Sequence, residues 1–252
     1  MSFAVAADAY DRFMGRYSGP LAPRFADFAG VRDGQRVVDV GCGPGALTTE
    51  LVARLGAEAV AAADPSESFV EAARERHPGV EVAVAPAEAL PFADDAYDVA
   101  LAQLVVPFMR DAVAGLTEMR RVTRPGGTVA ACAWDHGARQ SPLAPFWRAV
   151  DDARLGAPDE SVQAGTREGH LAQLLRQAGC SEVEDGALAV RVEHATFDEW
   201  WQPFRLGVGP AGALLARLDA DAAAEVRARC RALLGDGPIA IPARAWAARG
   251  RA

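Results

Sequence analysis

The chain has 252 residues, half of them hydrophobic, with 26 basic and 34 acidic side chains and a formal net charge of −8. That length suits one α/β domain with a full core and insertions. No apolar run approaches the roughly 18 residues of a membrane span. All the basic residues are arginines scattered along an acidic chain, which excludes nucleic acid as an expected substrate. Cys42, Cys132, Cys180 and Cys230 are widely separated and form no C-x-x-C pair, so neither a disulfide framework nor a metal site is expected, and they read as small buried residues. Met1–Asp8 lacks the basic start and apolar core of a signal peptide, and the expectation is a cytoplasmic protein.

Tyr10 to Tyr17 reads as an amphipathic helix in which Phe13 and Tyr17 pack at i, i+4. Val37–Val40 is an apolar β-branched run, followed by glycines at 41, 43 and 45 and then by helical spacing over Ala46–Leu55. Glycines at such a turn let backbone reach conformations closed to other residues and let a ligand come close to the main chain. Ala46 keeps a dinucleotide fingerprint open, because that motif tolerates alanine at its last position. Pro44 argues the other way, since it removes an amide donor where a diphosphate would seek one. Asp39, at the turn's entrance, suits a cationic ligand better than a polyanion.

Glu58–Ala63 reads as a second strand closed by Asp64, with Pro65-Ser66 opening a helix through Phe69, Val70 and Ala73. An acid about 20 residues beyond a glycine turn is the group that bonds a ribose diol, the alternative being a helix cap. Val80–Val84 reads as the third strand and Tyr97–Leu104 as the fourth, with Gln103 near its carboxyl end, where open α/β sheets bind ligands, and Asp98 at the opposite, structural end. Arg110 to Thr123 has helical spacing and ends in arginines that complement the helix dipole. Pro125-Gly126-Gly127 stops it ahead of a fifth strand, Thr128–Trp134. His136 follows that strand and is the best-placed general-base candidate, weighed against a solvated loop histidine.

Three blocks in this order carry a resemblance: Val38 to Gly45, Ala87-Glu88-Ala89-Leu90-Pro91-Phe92 through Asp98, and Arg121 to Gly127. Over residues 8 to 135 the chain resembles a class I S-adenosylmethionine-dependent methyltransferase of the branch similar to the enzymes of ubiquinone and menaquinone biosynthesis. The resemblance implies S-adenosyl-L-methionine as cofactor and S-adenosyl-L-homocysteine as product, held by Asp39, Gly41, Gly43, Asp64 and Pro65. It places adenine near the Ala87 N–H and Glu88, although Pro86 stands where the family often has an acid, and it places Gln103 beside the methionine part. Tyr10-Asp11 through Tyr17 is similar to the entry segment of related enzymes, and there Tyr10 and Arg16 would reach the methionine carboxylate. In the alternative reading the arginines face water.

Beyond residue 136 motifs cease. Pro142–Leu155 and Thr166–Ala178 read as helices, Val183–Thr196 as the sixth strand and Gly237–Ala247 as the seventh, with Pro238 and Pro242 requiring edge or bulge positions. The expected fold is α/β, a doubly wound, mostly parallel seven-stranded sheet with its last strand antiparallel. One domain spans 1–252: N-terminal lid helices (1–30), a cofactor core (31–136), and a substrate-side half (137–252) with a helical insertion at about 197–236. Trp200, Trp201, Phe204 and Leu206 supply that insertion with apolar groups for packing or for substrate. The expected activity is in-line methyl transfer to a small apolar or aromatic acceptor through oxygen, nitrogen or carbon. An NAD(P)-dependent oxidoreductase and a non-catalytic nucleoside-binding protein are the alternatives. No metal, membrane or nucleic-acid partner is expected, and monomer and dimer are both open.

Overall fold

The computed structural model describes residues 7–252, so the signal-peptide reading of the first residues lies outside the described part. In chain order come α1 (Ala7–Tyr10), a π turn (Asp11–Gly15), α2 (Arg16–Ala29), β1 (Val37–Val40), α3 (Ala46–Leu55), β2 (Val60–Asp64), α4 (Glu67–Arg76), β3 (Glu81–Val84) and β4 (Tyr97–Gln103). Then follow α5 (Ala112–Val122), β5 (Thr123–Trp134), α6 (Ala144–Asp152), α7 (His170–Gln177), β6 (Ser181–His194), α8 (Phe197–Trp201), α9 (Gly209–Leu215), α10 (Ala220–Leu234) and β7 (Ile239–Arg251).

The strands form one sheet in the order β3-β2-β1-β4-β5-β7-β6. The first five are mutually parallel, and β7 runs antiparallel to both β5 and β6. Strand order reverses between β1 and β4, which makes their carboxyl ends the switch point where such sheets take ligands. Helices cover both faces, and this is why β1, β2 and β4 read as continuous apolar runs. Val37 and Leu101 face a core shared with Leu21, Phe25 and the rings of residues 197–204, whereas Val38 and Ala100 face Leu116, Met119 and Leu175.

Of the boundaries that differ from expectation, the helix expected over Tyr10–Tyr17 among them, three have clear local reasons. The Pro125–Gly127 block does not precede β5 but lies inside it as a bulge: β4 pairs Tyr97 with Thr123 and then Val99 with Thr128. Gly127 is needed there, because a Cβ would lie 2.5 Å from the Thr123 methyl and 2.7 Å from the Asp98 carbonyl oxygen. Helix α7 begins at His170, after Gly169 turns the chain with φ +70°. Strand β7 runs on to Arg251 and lies between β5 and β6, yet β5 accompanies it only from Ala245 onward. Pro242, opposite Arg191 of β6, therefore sits on a stretch with a strand on one side, and its missing N–H interrupts no ladder.

Asp98 is structural, accepting from the Arg36 N–H at 2.7 Å and pairing with Arg124. All four cysteines are buried and free. Among the described residues no helix is long and apolar enough to cross a membrane.

Candidate active site at the carboxyl ends of β1 and β4

The turn after β1 is built from left-handed glycines. Gly41 has φ +72°, and a Cβ there would lie 2.3 Å from Val105 Cγ2, so this position requires glycine on both conformational and steric grounds. Gly43 has φ +54° but faces open space, where a side chain would meet nothing within 4 Å. The Gly41 and Cys42 N–H groups donate to the Ala63 carbonyl, which ties the turn to β2.

Asp64 is 7 % exposed; its Oδ2 accepts the Gly43 N–H and its Oδ1 the Ser66 N–H, both at 2.9 Å. The expected ribose acid thus lies against the glycine turn itself, with exposed Pro65 beside it. Burial raises its pKa, and the two N–H bonds oppose that. Tyr10 packs on Phe69 with ring centroids 5.4 Å apart, and its hydroxyl is pushed up to about 12, first by burial and then by the charges of Asp64 and Asp11. Tyr10 therefore overlooks the second strand's acid.

Asp39 is 1 % exposed. Its Oδ2 accepts from the Thr48 hydroxyl at 2.7 Å, and its Oδ1 has no partner. Burial pushes its pKa up to about 7, opposed by the Thr48 bond and reinforced by Asp64. On neighbouring β4, Gln103 donates from Nε2 to the Ser18 carbonyl at 3.1 Å, and its Oε1 is likewise buried without a partner, as is the Ser18 hydroxyl. Two orphaned acceptor oxygens on adjacent strands call for a donor-rich, preferably cationic, group.

Other residues expected at the site have protein neighbours of their own. Arg16 pairs with Glu199 and donates to His194 Nδ1 at 2.9 Å, which attaches α2 to β6 and α8. Glu88 Oε1 already accepts the Arg110 N–H at 2.7 Å and the Asp111 N–H at 3.2 Å, fastening the loop before α5, while Ala87 beside it is buried. His136 is not a solvated loop histidine. Its side chain is 12 % exposed, and Nδ1 stands 3.3 Å from Glu160 Oε2. The rings of residues 197–204 pack mainly on one another and on α6: Phe204 stacks on Phe146 at 4.8 Å and meets Phe13 edge-on at 4.9 Å. A cleft of about 550 Å³ within the insertion is lined by Trp201, Phe204, Arg205 and Arg227 and by no residue of the glycine turn or the β1 and β4 ends.

Residues 38–131 match the family described as "Methyltransferase domain". A demethylmenaquinone methyltransferase from Mycobacterium sp. (strain KMS) is 34 % identical over 168 residues, 61 % of this chain and 71 % of that protein. The chain belongs to the S-adenosylmethionine-dependent methyltransferases. A malonyl-[acyl-carrier protein] O-methyltransferase from Erwinia billingiae (strain Eb661) is 35 % identical over 130 residues, 51 % of this chain, and the match spans only 50 % of that relative's length. The structure of YcgJ from Bacillus subtilis shares the fold, with a TM-score of 0.58 at 17 % identity, covering 91 % of this chain and 97 % of that one.

The nicotinamide alternative falls with this membership. The residues present fit the family's cofactor, S-adenosylmethionine. Its methionine ammonium matches the orphaned oxygens of Asp39 and Gln103, and the open side of Gly43 admits a ligand at the main chain. Sequence reasoning missed Thr48, the partner of Asp39, which lies in the first turn of α3. It also missed His194, Glu199 and Glu160, which lie in stretches without a motif.

Proposed function

We propose that this methyltransferase transfers the donor's methyl group to a small apolar or aromatic acceptor by in-line displacement. The observation that carries the reading is the pair of orphaned acceptors, Asp39 Oδ1 and Gln103 Oε1, buried at the switch point of the sheet. The bound donor supplies a methyl group on a positively charged sulfur. The chain's part is to hold that donor through Asp39, Gln103, Asp64, Gly41 and Gly43, to align it, and to exclude water. Positive charge disperses in such a transfer, so alignment with reacting atoms about 3 to 3.5 Å apart matters more than strong acid or base.

Apolar and aromatic side chains beyond β5 support the acceptor class. Trp134 at the end of β5 and Leu143, Phe146 and Trp147 beyond it are all buried, and the π turn before α2 meets the insertion through Phe13 and Phe204. The two curated relatives are named for different acceptors, so their names do not select one for this chain. Calorimetry tests the cofactor half: S-adenosylhomocysteine is expected to bind and NAD is not, and the reverse result would sink the reading. Incubation with methyl-labelled cofactor and apolar phenols, amines and acids then tests the acceptor half.

A further inference from the structure

Building on the methyl-transfer reading above, we propose that Ser18 is a cofactor-binding residue. Its hydroxyl donates to the carboxylate of the donor's methionine part, while its main-chain carbonyl holds the Gln103 amide that faces the ammonium.

The hydroxyl is the anomaly that motivates this assignment. Ser18 lies in the first turn of α2 and is 3 % exposed, yet its Oγ has no hydrogen-bond partner. A serine or threonine in a helix often bonds back to the carbonyl four residues earlier. Thr49, Thr117 and Thr123 all do so in this chain, at 2.8, 2.7 and 2.7 Å. Ser18 makes no such bond, and a buried hydroxyl left unsatisfied costs free energy until a partner arrives.

The surroundings of Ser18 identify that partner. Side chains alternate along a strand, so Asp39 shares a face with Val37, and Gln103 with Leu101. Val37 and Leu101 pack in the core that holds Leu21 and Phe25 of α2, and α2 therefore covers the face on which Asp39 and Gln103 stand. Gln103 Nε2 donates to the Ser18 carbonyl at 3.1 Å, which sets the first turn of α2 directly against the end of β4. Three buried atoms without partners, Ser18 Oγ, Asp39 Oδ1 and Gln103 Oε1, thus belong to neighbouring residues.

The three groups differ in what they can offer. The free oxygens of ionised Asp39 and of the Gln103 amide only accept, whereas a hydroxyl can donate. The methionine end carries its ammonium and its carboxylate on one carbon, so a group that donates to the carboxylate must stand beside those that accept from the ammonium. Arg16, the cation expected there, is committed to Glu199 and His194. Ser18 is the donor that α2 presents in its place, and a hydrogen bond to an ionised carboxylate is stronger than one between neutral groups. A competing orphaned donor stands on the same face: the Trp134 indole N–H, two residues beyond Cys132, the register partner of Gln103.

The test is calorimetry of the full chain with three probes: S-adenosylhomocysteine, its decarboxylated amine, and methylthioadenosine, which lacks both charged groups. Ser18→Ala removes the hydroxyl and keeps the carbonyl that holds Gln103. It is expected to weaken S-adenosylhomocysteine about tenfold and to leave the amine and methylthioadenosine within about twofold. Gln103→Ala is expected to weaken the first two probes and to spare methylthioadenosine. Equal losses of S-adenosylhomocysteine and the amine in Ser18→Ala would assign the hydroxyl to the ammonium and overturn the proposal. A loss shared by all three probes, the mark of a merely structural serine, overturns it too, as does no loss at all. A carboxylate-specific loss in Trp134→Phe and not in Ser18→Ala overturns it in favour of the indole. Wild type that binds no S-adenosylhomocysteine sinks the methyl-donor reading itself, a result separate from all of these.

Discussion

Asp39 and Gln103 end neighbouring parallel strands, and each keeps one buried oxygen with no hydrogen-bond partner. A cationic ammonium between them would favour ionised Asp39, whose carboxyl is held up at about 7 chiefly by burial. Binding must then release a proton below that pH, so affinity for S-adenosylhomocysteine is expected to rise as pH goes from about 5 to about 7 and to level off above. Calorimetry in two buffers of different ionisation heat measures the proton directly. Asp39→Asn is expected to flatten the profile and weaken binding about 10- to 100-fold, the range of a charge-assisted hydrogen bond.

Gly41 and Gly43 have the same backbone handedness and opposite surroundings. Gly41→Ala adds a clash with Val105 to left-handed strain, so it is expected to lower the melting temperature markedly. Gly43→Ala, in open space, is expected to cost only the strain of about 1 to 2 kcal/mol while weakening cofactor binding at least tenfold. Equal effects on melting and binding at both positions would contradict a ligand-facing Gly43.

Arg16 joins α2 to the insertion through Glu199 and His194. Arg16→Ala is therefore expected to leave product affinity within about twofold while raising hydrogen exchange in α8 and the end of β6. The pair is about a third exposed, so its effect on global stability is expected to stay below about 1 kcal/mol. A large loss of cofactor affinity would return Arg16 to the methionine carboxylate.

Glu160 is a buried acid whose effect on stability depends on pH. Its carboxyl is raised by burial from 4.5 to about 7, so the native state prefers it protonated. That contribution is fully present below about 4.5 and is lost as pH rises through about 7. Glu160→Gln, which cannot ionise, is expected to stabilise the protein at pH 8, by up to about 3 kcal/mol from the shift, and to have little effect near pH 4. Chemical denaturation at the two pH values checks the sign. A variant less stable than wild type at pH 8 would make Glu160 a stabilising residue.

The parts of the site that sequence makes legible are those set by local pattern. Asp39, Asp64 and Gln103 stand at strand ends, and strand ends follow from apolar runs and glycine turns. The sheet's core follows from the same signals, whereas the antiparallel direction of its last strand is implied by the family resemblance and by no local pattern. Glu160, His194 and Glu199 carry no such signal, because their environments are made by distant segments: Arg16 meets its partners across more than half the chain. His136 was visible by position, but its burial and its carboxylate neighbour arise only when the loop before α7 folds against the end of β5. The shift of β5's start has a different cause, since proline and glycine punctuate a bulge as readily as a loop.

The stretch of β7 before Ala245 borders no strand on the side away from β6. The loop after β5 covers part of that side, with the Arg244 N–H donating to the Gln140 carbonyl, and a strand edge left without such cover is where a second polypeptide can extend a sheet. Pro242 is exposed and offers no hydrogen to an incoming chain, so the residue that merely fits the ladder on one side acts as a guard on the other. Its replacement by valine would restore that donor on the exposed side of a segment whose Ile239, Ile241 and Ala243 are buried in the core. Pro242 thus limits what the strand edge offers to another chain, a role separate from catalysis.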